Sequence, residues 1–216
     1  MPCNCRQEAG SHDHLGDGYL SDGLFGFGTP LNGSIDLPFI QIWNARSSSE
    51  EVRRVFDPEA QDNNIPLCSD QDPELLIFLP LSSICKIKGI SILGPMSDFA
   101  PSQVKIFTNP AEVLGFDSVR RLKPHEEILL AQVSGEDRVV YRLNATKFAT
   151  VSSLALYFEH SFGDEETHLL RVDLFGENSG RPSTQQVAKN VVYESRANPA
   201  DHPVLETQNL FFTSSA

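Results

Sequence analysis

Four residues near the N-terminus, Cys3, Cys5, His12 and His14, are of the types that hold zinc, because soft thiolates and imidazoles suit a tetrahedral site. Their spacing argues the other way. Structural zinc sites usually separate paired cysteines by about two to four residues. One intervening residue aims the two side chains poorly at a shared ion, and the glycines around them offer no rigid support. The segment is therefore expected to be a polar tail, with metal ligation by these four as the weaker alternative. Cys68 and Cys85 stand outside any Cys-x-x-Cys, and only Lys86 and Lys88 lie near enough in sequence to lower a thiol pKa. Cys85 is read as a small buried hydrophobe and Cys68 as a loop thiol.

Other patterns fail on order or spacing. Gly23 to Gly28 has the glycines of a phosphate loop but no following Lys-Ser or Lys-Thr and no preceding strand, so it reads as linker. No Gly-x-Ser-x-Gly occurs, and Asp201 cannot orient the imidazole of its own neighbour His202. The carboxylates of Asp70 to Glu74 and Asp164 to Glu166 lack EF-hand spacing and read as solvated acidic loops. Arg120, Arg121 and Lys123 form a short basic run between two strands, read as a loop able to select an acidic partner surface. No catalytic residue, cofactor or metal is assigned, and the chain is expected not to be an enzyme.

The chain has 216 residues, enough to bury a core without disulfides or metal. Its formal net charge of -12 repels phosphate backbones and anionic bilayers, which disfavours nucleic-acid and membrane partners. No apolar run approaches the length needed to span a bilayer, and no export signal is read at the N-terminus. Four scattered cysteines suit a reducing compartment. Without export, Asn144-Ala145-Thr146 is a chance match to a glycosylation acceptor.

The elements that must position these residues are mostly short strands. Half of the fourteen glycines fall in the first 33 residues, predicting a flexible tail over 1–34. Apolar runs bounded by turn residues then predict strands over 35–43, 74–80, 84–93, 103–108, 127–133, 138–143, 151–159, 168–175 and 187–193. Leu170, Val172 and Leu174 alternate with Arg171 and Asp173, as a half-buried strand requires. Lys86 and Lys88 share parity with Ile90 and Ile92, so a bulge at Gly89 is needed to keep the isoleucines inward. Residues 134–137 have hairpin-loop chemistry. Ser48 with Glu51 makes a capping box for one short helix carrying Val52, Val55 and Phe56 on one face, stopped by Asp57-Pro58. The sum is an all-β, antiparallel jelly-roll β-sandwich with a flexible N-terminal tail.

Several segments together resemble one family. Ile35-Asp36-Leu37, the run from Ser69 to Leu76, Lys86 to Ile90, Val104 to Phe107, and above all Tyr193 to His202 with its Asn-Pro-Ala-Asp-His, are similar to the PITH domain. That is the proteasome-interacting module found C-terminal to thioredoxin in thioredoxin-like proteins and alone in others. The resemblance covers residues 35–205, leaving 206–216 as a C-terminal tail. It implies a jelly-roll sandwich, association with the regulatory particle of the 26S proteasome, and a cytoplasmic and nuclear location. The chain has no Cys-Gly-Pro-Cys, so reductase activity is not carried over. The competing function is a small-ligand or carbohydrate-binding jelly roll, for which Trp43, the sole tryptophan, is the candidate platform. Asn198 and Pro199 with Asp201 and His202 are expected to form a rigid turn, a structural latch ahead of a partner contact, because each proline keeps the residue before it extended.

Overall fold

The computed structural model describes residues 26–46, 49–60, 65–112, 114–133, 138–163 and 165–183. All lie within residues 1–185, the first of two units; the second is 186–216. The Cys3, Cys5, His12 and His14 candidates, Asn198, Pro199, Asp201 and His202, and the strand expected over 187–193 fall outside the described residues.

One long strand organises the architecture. The two runs predicted at 74–80 and 84–93 form a single strand, β4 (Leu75–Leu93), whose halves have different neighbours. Its first half lies between β2 (Gln41–Trp43) and β8 (Val151–Phe158), and β5 (Gln103–Thr108) and β6 (Glu126–Leu129) extend that sheet beyond β8. Its second half lies between β10 (Arg171–Pro182) and β7 (Val140–Arg142), with β1 (Thr29–Pro30) outside β10. All pairings are antiparallel. A separate ladder joins β3 (Leu67–Cys68) to β9 (His168–Leu169). Strand 35–43 is shorter than expected: residues 37–39 are a 3-10 turn, leaving only β2.

Both halves of β4 contribute to one core. Leu75, Ile77 and Leu79 of the first half join Ile87, Ile90 and Ile92 of the second, with Leu154, Leu156 and Phe158 of β8 and Val172 and Leu174 of β10. The bulge required by the lysine parity is present. Phe175 pairs with Gly89 while Gly176 pairs with Ile87, leaving Lys88 unmatched. Gly89 is also needed sterically, since a Cβ there would stand 2.6 Å from the Phe27 ring and 2.9 Å from Val140. The helix α1 (Ser49–Arg54) brings Val52 to the core, and Val55 and Phe56 follow it there, the face expected from the sequence. Ser48 lies outside the described residues.

Three expectations are corrected. Residues 26–34 are not tail: β1 pairs with β10, Leu31 is in the core, and Asn32 is 2% exposed. The Asn32 amide donates to the carbonyls of Phe56 and Val172 at 2.9 Å, and its oxygen accepts the Leu174 N–H at 2.9 Å. Phe27, read as linker, lies under the Arg142 guanidinium at 4.9 Å. The strands flanking 134–137 are not a hairpin, since β6 pairs with β5 and β7 with β4. Arg171 and Asp173 do share the face opposite Val172 and Leu174, but that face is covered. They are 8% and 5% exposed. Arg171 Nε donates to Asp173 Oδ1 at 2.9 Å and Nη1 to the Ala60 carbonyl, while Arg138 reaches Asp173 Oδ2 at 3.2 Å.

Candidate interaction surface

Two residues of the basic run, Arg120 and Arg121, lie on a helix that the sequence reading missed, and Lys123 follows it. Gly115 precedes α2 (Phe116–Arg121), with Asp117 in its first turn and Arg120 and Arg121 in its last, both favourable to the helix dipole. Val119 is buried and Phe116 half-buried against the outer face of the first sheet, on Leu76, Phe107, Ala155 and Tyr157. Trp43 packs on the same small cluster, half-buried, so it is part of this outer layer and not a free-standing platform.

Arg120 is taken up in holding α2 down. Its guanidinium forks onto Glu74, with Nε to Oε1 at 3.1 Å and Nη2 to Oε2, and the Tyr157 hydroxyl donates to Oε1 at 2.9 Å. Glu74 raises the Arg120 pKa further by hydrogen bonding. Burial, reinforced by Glu74, raises that of the Tyr157 phenol. Lys105 lies 5.7 Å over the Tyr157 ring and is paired with Glu159. Arg121 and Lys123 are exposed on either side of Leu122, itself 49% exposed. The run is thus split by the fold: one arginine is a clamp, and the other two cations flank an exposed leucine.

A second cluster was not foreseen. At one end of the sandwich Glu166 Oε2 accepts from Arg46 Nη2 at 2.5 Å and stands 3.1 Å from His168 Nε2, and the imidazole stacks on Phe99 at 4.7 Å. His168, then Arg46, hold the Glu166 carboxyl below its usual range. Read as a solvated acid, Glu166 is engaged by a residue 120 positions away, which no local pattern could reveal. Cys68, on β3 rather than a loop, pairs in register with His168. Burial raises its thiol pKa; Arg46 opposes this, while Glu166 and Glu51 add to it. The thiol stays protonated at neutral pH, a poor nucleophile. Cys85 is buried in the core, as expected, with its thiol likewise raised by burial. Asn44, at φ 62°, donates to Asp72 Oδ1 at 2.7 Å and to the Glu74 carbonyl at 2.6 Å, which fixes the acidic loop before β4. Among the described residues no three His, Cys, Asp or Glu side chains converge as a metal site, and no helix is long and apolar enough to cross a membrane.

An antiparallel arrangement of this topology, organised around one long strand, defines a jelly-roll β-sandwich domain. Its shape is similar to a structure of the CBM32-1 and CBM32-2 domains of ZmpB from Clostridium perfringens, with a TM-score of 0.53 at 13% identity over 74% of this chain and 41% of that one. A second structure of those domains, in complex with GalNAc, gives 0.50 at 12% identity over 68% and 35%. At that identity the likeness concerns the fold alone.

The sequence matches the PITH domain over residues 25–197, and the chain belongs to the PITH domain family. It is 33% identical over 199 residues to the PITH domain-containing protein CG6153 of Drosophila melanogaster, covering 89% of this chain and 92% of that protein. To PITH domain-containing protein 1 it is 31% identical in Xenopus laevis, over 94% of this chain and 90% of the relative, and 32% in Homo sapiens, over 79% of each. The match begins ten residues before the expected boundary at 35, in keeping with the packing of Leu31 and Asn32.

Proposed function

We propose that this chain is a non-catalytic protein-interaction module that associates with the regulatory particle of the 26S proteasome, in the cytoplasm and nucleus. The observation that carries the reading is membership of the PITH family across most of the chain. The exposed Arg121-Leu122-Lys123 segment supports it physically. On a chain of net charge -12, two exposed cations around an apolar side chain favour a partner face that is acidic with an apolar recess. Capture from cell lysate by the tagged full chain tests the proposal. Regulatory subunits are expected at moderate salt, with a several-fold loss in an Arg121→Glu, Lys123→Glu double variant of unchanged melting temperature. Recovery no greater than with an unrelated sandwich domain would reject proteasome association. Full recovery with the double variant would move the contact to another face.

A further inference from the structure

Strand β4 loses register with both neighbours at one place. Against β8 the pairing passes from Pro80↔Ser153 to Cys85↔Val151, so five steps along β4 meet two. Against β10 it passes from Asn178↔Cys85 to Pro182↔Ser83, four steps of β10 against two of β4. Extra residues on adjoining strands splay the ladder and re-aim side chains. A cleft of about 200 Å³ lies at this place, its lining including Ile84, Cys85, Lys86, Thr150, Glu177 and Arg181. A fixed turn carries the rim. Asn178 Oδ1 accepts the Gly180 N–H at 2.7 Å, Gly180 takes φ +69°, and Ser179 Oγ donates to the Ile84 carbonyl at 2.6 Å while accepting the Arg181 N–H at 3.2 Å.

Charge distinguishes this cleft from the acidic remainder of the chain. Lys88 engages Glu177, whose carboxyl its hydrogen bond and charge, with that of Lys86, hold below the usual range. Of the residues lining the cleft, Lys86 and Arg181 are cationic and Glu177 alone is anionic, and Arg181 and Thr150 are exposed. The volume is below the ~300 Å³ at which sites for drug-sized ligands begin. A compact, doubly charged group with several acceptor oxygens fits both the volume and the two cations that line it.

We propose that this cleft binds a phosphate group, with Arg181 and Lys86 as the charged donors and Thr150 as a neutral one. The site goes beyond the proteasome reading and does not rest on it. The phosphate is either free or carried on a phosphorylated side chain, and two probes separate these sources: inorganic phosphate and N-acetyl-phosphoserine N-methylamide. Each is titrated into the isotope-labelled full chain at constant ionic strength, following backbone amide shifts against a chloride control. The expected result is saturable movement of the Thr150, Ser179 and Arg181 amides, weakened about tenfold in Lys86→Gln and in Arg181→Gln. Both variants alter partly or wholly exposed side chains, so their melting temperatures should match the parent. Tighter binding of the phosphoserine probe assigns the site to a phosphorylated partner; equal or tighter binding of inorganic phosphate assigns it to the free ion. Linear shifts matching chloride for both probes, or affinity unchanged in both variants, would overturn the proposal.

Discussion

At Tyr157 a single phenol joins two layers of the structure. Its ring packs with Phe116 in an edge contact at 6.2 Å, and its hydroxyl donates to the carboxylate that also takes Arg120. Tyr157→Phe keeps the ring and removes one hydrogen bond to a charged acceptor, so unfolding by urea should show a loss of about 1 to 2 kcal/mol. The pH dependence follows from the raised phenol. The folded state holds this proton more tightly than the unfolded one, so the stabilisation is complete below the unfolded pKa near 10 and is lost as pH rises beyond it. Melting temperature should therefore fall above about pH 10 more steeply in the parent than in Tyr157→Phe. Glu166 behaves oppositely. Its carboxyl is lowered, so its contribution is present above the ordinary carboxylate pKa and disappears as pH falls through the folded value. Glu166→Gln should flatten the acid limb of the stability curve below about pH 4.3, and an unchanged limb would deny the shared hydrogen bonds a role.

Among elements, the pairing of β10 with β4 shows how narrow the tolerance is. A Cβ on Gly176 would lie 2.0 Å from the Lys86 carbonyl oxygen, a backbone atom held by the ladder, whereas one on Gly33 meets nothing within 4 Å. Gly176→Ala should cost about 3 kcal/mol or more because the ladder must open beside the bulge, while Gly33→Ala should stay within about 0.5 kcal/mol. Thermal melts of the two variants compare them directly; equal effects would mean the ladder yields without cost. At α2 the dipole, the Arg120 clamp and the burial of Val119 act together on six residues, too few for a stable helix alone. That is why the segment resembled a loop in one dimension.

For the whole molecule, Asn32 closes the sandwich. Its three hydrogen bonds tie the strand entry to Phe56, Val172 and Leu174, all buried. Asn32→Ala leaves two carbonyls and one N–H without that partner, and the expected loss is about 3 kcal/mol or more. Truncation before residue 35, the boundary suggested by glycine content, removes Leu31 as well and should abolish cooperative unfolding seen by calorimetry. A sharp transition in that truncated chain would return residues 26–34 to the tail.

The alternation of Leu154, Leu156 and Phe158, the inward isoleucines of β4 and the bulge at Gly89 were legible in the sequence, because strand faces are set by nearest neighbours and a parity slip is a local fact. The family was legible for the same reason, through short contiguous motifs. Tertiary structure alone decided that Arg120 is a clamp on Glu74 while Arg121 and Lys123 face solvent, that Glu166 meets Arg46, and that a glycine-rich entry contains an asparagine buried against Val172. Those partners lie 46, 120 and 140 residues apart in the chain, and only closure of the sandwich brings them within hydrogen-bonding reach.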